Sequence, residues 1–227
     1  MAFYLVPNWF FGFGLIFEII FGIITLAVAL YSFKVYNYCL DRHCKLYGLG
    51  FLSLALSYFS WALVSWYVPF KFNVSDEVVS LENLAGIVNF GVYAHVFFFL
   101  AGLVTLTYVT FDVNGKRIYS LLLSLVLVAL IFAENKIVAF YFISALLLLY
   151  IVFYYGRGYI DGQGPRNKWI LTSFIFLFIG SVDFTLSAVN GIHYVAGHVL
   201  FLIGYLFILA NFILMLRPLL RKGKKKK

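Results

Sequence analysis

Seven stretches of this chain run for about the length of a membrane-crossing helix with almost no charge inside them, and that feature decides most of what it can fold into. They cover residues 9–33, 46–68, 86–111, 118–132, 137–155, 168–189 and 193–216. A helix needs roughly 20 apolar residues to cross the hydrocarbon core of a bilayer, so seven crossings use most of the 227 residues. Only 11% of the chain is charged, against about a quarter in a soluble domain. There is too little polar surface to coat a globule in water, and the mean hydropathy of +0.98 agrees. The expectation is an all-α polytopic bundle of seven transmembrane helices over 1–216, followed by a basic cytoplasmic tail over 217–227. No stretch remains for a separate soluble catalytic or signalling domain, and the uncharged flank 1–8 lacks the basic start of a cleaved signal peptide.

The net charge of +8 does not signal nucleic acid, because seven of the 17 basic residues lie between Arg217 and Lys227. A basic tail just past a spanning helix anchors against anionic lipid. Fifteen of the Lys and Arg residues fall in the tail or in the first, third and fifth connections; Lys71 and Lys136 are the other two. The positive-inside rule then predicts an outer N-terminus and an inner C-terminus in the plasma membrane. Cys39 and Cys44 frame His43 in the first, inner connection, where thiols stay reduced; three such residues are too few to close a zinc site. Asn73-Val74-Ser75 matches a glycosylation acceptor in the longest outer connection.

Four ionisable residues break the apolar pattern: Glu18, His95, Asp183 and His198. Charge at membrane depth is expensive and marks a face turned into the bundle. At 1.5 Å per residue, Glu18 and Asp183 should lie roughly 9 Å below the outer helix ends and His198 roughly 8 Å. His95 falls in the same outer half. Small residues flank them at helical spacing (Gly14 and Gly22, Gly91 and Gly102, Gly180 and Ser187), which suits close helix–helix approach. Tyr205 lies two turns beyond His198 and could add a hydroxyl.

Two imidazoles and two carboxylates suit a pocket for a small molecule or ion, a divalent metal held by His95 and His198, or a b-type haem with those histidines as axial ligands. They also suit plain interhelical glue, with each acid pairing one histidine. The expected function is sensing or carrying a small molecule or ion. A haem-bearing electron-transfer subunit and a non-catalytic structural subunit of a membrane complex are the alternatives. A sensor would need a separate membrane or cytoplasmic partner for its output. Nucleophilic triads and phosphate loops are absent from the sequence, and Gly156–Gly164 lacks the Lys-Ser/Thr ending of a phosphate loop. Enzyme activity is therefore expected only in the minor form of a metal-dependent membrane hydrolase.

Ala94-His95-Val96 and Gly197-His198-Val199 open equivalent parts of the third and seventh stretches. Lys45 and Lys168 begin the second and sixth, and Tyr58-Phe59-Ser60 and Ser181-Val182-Asp183 follow them at equal spacing. This reads as a 3+1+3 parallel repeat with the fourth helix as linker. The plan resembles that of the SWEET and PQ-loop carriers, although the chain has no Pro-Gln pair. If an axis along the membrane normal relates the halves, His95 and His198 should meet across it, with Glu18 or Asp183 as partner. Seven helices with an outer N-terminus also look like opsins, but the last helix has no lysine for retinal. The ceramidase and adiponectin-receptor-like zinc enzymes are similar in helix number and set two histidines four residues apart on their last helix. Here His193 and His198 are five apart, about 140° around the helix.

Overall fold

The computed structural model describes residues 10–74, 81–111, 115–161 and 165–224. Seven helices account for nearly all of them: α1 (Phe11–Cys39), α2 (Arg42–Val74), α3 (Leu81–Thr110), α4 (Lys116–Phe132), α5 (Lys136–Ile160), α6 (Pro165–Leu186) and α7 (Ile192–Lys224). There are no strands among the described residues. Six helices are long and apolar enough to cross a membrane, which suits a multi-pass membrane protein; the exception is α4. Its 17 residues make a rod about 25 Å long at 1.5 Å per residue, at the short end of the roughly 17–25 residues that a crossing helix uses.

The helices run longer than the apolar stretches alone implied. The first connection shrinks to a turn at Leu40, whose φ of 52° is left-handed and whose N–H closes on the Tyr36 carbonyl at 2.7 Å. A proline costs a helix one backbone hydrogen bond and a steric clash, yet α2 passes Pro69 and α7 passes Pro218 into the basic tail as far as Lys224. In the other direction α6 ends at Leu186, three residues before the expected end, and a turn through Asn190-Gly191 leads into α7. Pro165 opens α6, where its missing N–H has no helical partner to lose. The Asn135 side chain caps α5 by accepting from the Val138 N–H at 3.2 Å.

Packing follows chain order. α1 lies on α2, α2 on α3, α3 on α5, α5 on α6 and α6 on α7, and α7 returns to α1. The result is a closed ring of six helices. α4 touches only α3 and α5 substantially, and Leu130 is its one buried residue. The closest contacts lie inside α1–α2–α3 and inside α5–α6–α7, with thinner seams at α1–α7 and α3–α5. Glycines permit two of the tight approaches. A Cβ on Gly102 would sit 2.8 Å from the Gly50 carbonyl oxygen, and one on Gly180 would sit 2.6 Å from the Phe201 ring.

Aromatic rings fill the middle. Phe21, Tyr58, Phe99, Phe201 and Tyr205 are all buried and contact one another between helices α1, α2, α3 and α7, and Phe140 of α5 joins through Phe99. The outward faces carry Leu30, Leu63, Phe90, Leu125 and Phe153, all exposed. A soluble monomer rarely leaves such extended apolar surface bare. In lipid it has a matching solvent. Trp66 and Trp169, exposed at opposite ends of the ring, occupy the levels where an aromatic belt would lie.

Candidate functional site

Glu18 is the most isolated of the four ionisable residues. It sits in the second turn of α1 and is 5% exposed. Its neighbours Phe17 and Phe21 pack toward α7, on His198, while the carboxyl turns to α2. There it accepts from the Ser65 hydroxyl at 3.3 Å and from the Trp61 side chain. Tyr58 and Tyr194 lie within electrostatic reach of it. One turn earlier, a Cβ on Gly14 would stand 3.9 Å from the Tyr194 hydroxyl, so that phenol closes over the α1 face carrying Glu18. Among the described residues, no Lys, Arg or His pairs with Glu18.

His95 reaches α2, not α7. Its Nδ1 stands 2.8 Å from the Ser57 hydroxyl and 3.1 Å from the Ser57 carbonyl, while that hydroxyl donates to the His95 carbonyl at 2.8 Å. A carbonyl oxygen only accepts, so Nδ1 carries the hydrogen and Nε2 of the neutral ring is the acceptor. Tyr58, Trp61, Phe99 and Phe140 surround the imidazole.

His198 makes a different bond. Its Nδ1 donates to the Tyr194 carbonyl of its own helix at 2.8 Å, which fixes the same tautomer. The ring is 4% exposed and lies in a box of Phe10, Phe17, Phe21, Phe184 and Tyr194. Because α6 ends early, Asp183 occupies its last turn instead of lying about six residues deep. It pairs with Nδ1 of His193 in the first turn of α7 at 2.7 Å. Both side chains are partly open, at 18% and 37% exposure.

The expected meeting of His95 and His198 over a shared carboxylate is therefore not what the packing shows. Tyr58 and Phe21 stand between them, with ring centroids 6.2 Å from His95 to Tyr58, 5.3 Å from Tyr58 to Phe21 and 6.0 Å from Phe21 to His198. Neither acid bonds either of these histidines. Axial ligation of one haem iron needs two imidazoles facing across a gap, and packed rings occupy that gap here. Among the described residues, no three His, Cys, Asp or Glu side chains gather as a metal site would require. Tyr205 does join the interior: its hydroxyl meets that of Tyr58 at 2.8 Å, linking α7 to α2 across the ring. Asn73 falls in the last turn of α2, with its side chain and Ser75 outside the described residues.

The sequence did not mark Ser57, Tyr58, Trp61, Ser65 or His193 as site residues, although Tyr58 stood in the repeated pattern and His193 in the comparison of helix-seven histidines. The first four sit on α2 and span about two turns, so one helix supplies partners to Glu18, His95 and Tyr205. Their spacing was a usable signal: Ser57, Trp61 and Ser65 recur every four residues, one stripe of a helix. Comparison of the chain with protein-family models, with curated proteins and with solved structures finds no match in any of the three.

Proposed function

We propose that this chain is a seven-helix membrane protein, N-terminus outside and C-terminus inside, that senses or carries a small cation held at Glu18 in the outer half of the bundle. One observation carries the reading: a buried carboxyl whose hydrogen-bond donors are neutral and which, among the described residues, no Lys, Arg or His balances. A bare carboxylate in such surroundings is costly and is stabilised by a proton or a bound cation. Trp61 donates to the carboxyl, and Tyr58 and Tyr194 lie within electrostatic reach of it. The grouping of α1–α2–α3 and α5–α6–α7, with α4 aside, supports the 3+1+3 plan and hence a carrier over a fixed scaffold.

The test uses full-length protein in nanodiscs with Trp9, Trp66 and Trp169 replaced by Phe, so that Trp61 reports alone. Sodium, potassium, tetramethylammonium and protons are titrated in turn. At least one should shift the Trp61 emission and raise Tm, and Glu18→Gln should abolish both responses. A ligand at a hundred times its Kd would add about 2.7 kcal/mol of stability. Identical responses in wild type and Glu18→Gln, or none in wild type, would remove the reading.

A second reading has its own support. His95 bonds α2 and Asp183 bonds α7, as interhelical glue requires. On that reading the chain is a non-catalytic structural subunit, and the titrations leave Trp61 unchanged.

A further inference from the structure

The opposite end of the ring, where Arg42, Lys45, Lys116 and Arg117 cluster at helix starts, holds a cavity of about 350 Å³. Helices α2, α3 and α5 line this half-open cavity, and its polar lining includes His43, Tyr47, Thr110, Tyr155, Arg157 and Asp161. Tyr155 is 8% exposed, with its ring stacked on Phe174 at 5.6 Å, and its hydroxyl has no protein partner among the described residues. Asp161 caps the C-terminus of α5 four residues after Arg157, with its N–H on the Arg157 carbonyl, the spacing of neighbours on one helix face. Both line the cavity, yet no ion pair joins them among the described residues.

We infer that this cavity binds a small zwitterion that carries an ammonium group and an oxyanion on a short linker. The oxyanion goes to the Arg157 guanidinium, whose planar fork suits carboxylate or phosphate. The ammonium goes to the Asp161 carboxylate and the faces of Tyr47 and Tyr155. A simple anion would be repelled by Asp161 and a simple cation by Arg157, so a ligand with both charges is the one that satisfies the whole lining. The volume lies within the range of small-ligand pockets, about 300–1,000 Å³. A free metabolite-sized zwitterion and the headgroup of an aminophospholipid share this chemistry. The site is independent of Glu18 and of the function proposed for it.

The probe is O-phosphoethanolamine, titrated by calorimetry and thermal shift into the full chain in phosphatidylcholine nanodiscs. A parallel arm compares Tm in nanodiscs with and without phosphatidylethanolamine. Binding or stabilisation in either arm, weakened about tenfold or more in both Arg157→Gln and Asp161→Asn, supports the inference, since each variant removes one charge-assisted contact. A response to the soluble probe assigns a free ligand, and a response to the lipid alone assigns a headgroup. Both substitutions lie at an exposed helix end, and unchanged Tm of the unliganded variants confirms that they fold. No response in either arm overturns the inference. So does inorganic phosphate that binds as tightly as the probe and more tightly to Asp161→Asn, which would mark a plain anion site.

Discussion

The α2–α3 pair and the α6–α7 pair each carry a His-Val pair and are fastened in different ways. In α2–α3 the backbones touch at Gly50 and Gly102, and serines bond across the seam: Ser57 with His95 and Ser53 with the Phe98 carbonyl at 2.8 Å. In α6–α7 the backbones also approach, with a Cβ on Gly180 3.1 Å from the Gly197 carbonyl oxygen, but the nearest atoms there belong to the rings of Phe201 and Phe184. The polar fastening has moved to the turn, as Asp183–His193. His95 bonds a neighbouring helix and His198 its own. Like residues on two helices thus take different partners, because the residue opposite decides what each does.

Gly102→Ala should have the largest effect. The new methyl would meet the Gly50 carbonyl oxygen at 2.8 Å and Leu54 at 2.9 Å. Overpacking of this kind costs about 1–3 kcal/mol. Gly197→Ala meets only the edge of Phe184 at 3.0 Å and should cost less, because a side chain yields more readily than backbone. Thermal unfolding in detergent would decide, and equal losses would erase the contrast between backbone and ring contact.

Ser57→Ala comes next. It removes the hydroxyl shared by the His95 imidazole and carbonyl, and an unsatisfied buried polar group costs about 1–3 kcal/mol. The Nδ1 bond to the Ser57 carbonyl survives, which places the loss toward the low end. Tyr58→Phe should cost about 1 kcal/mol through the hydroxyl bond to Tyr205. A loss much above that, measured the same way, would mean that the cross-ring bridge organises both halves. Asp183→Asn should be smallest. Its pair is partly open to solvent, and such ion pairs contribute about 0–1 kcal/mol. High salt should leave the Tm of Asp183→Asn unchanged while lowering that of wild type slightly; a large destabilisation would put the α6–α7 clasp on a par with the Ser57–His95 clasp.

Much of the fold was legible because lipid imposes a coarse pattern: long apolar runs become helices, and the all-α class follows. Helix ends were less so. Pro69 and Pro218 read as stops, yet α2 and α7 pass through them. Membrane helices tolerate proline where neighbouring groups take up the freed backbone bond. At the site, charge made Glu18, His95, Asp183 and His198 visible, and Glu18 and His198 are indeed buried. Their partners were hidden because a serine or tryptophan in an apolar run carries no charge to betray it. Asp183 was placed too deep because Ser187–Val189 read as apolar helix, where the chain already turns. That turn brings His193 back to it, a contact ten residues apart that no helical period encodes.

The aromatic centre of the ring has a kinetic consequence. Phe21, Tyr58, Phe99, Phe201 and Tyr205 interlock at centroid distances of 5.3–6.5 Å. Buried rings move only with their neighbours, on the microsecond-to-millisecond scale of collective motion. On the carrier reading proposed above, the bundle would act as a valve and not as a pore. In a planar bilayer it should give no single-channel steps, and any flux through it should saturate with concentration, paced by how often five rings step aside together.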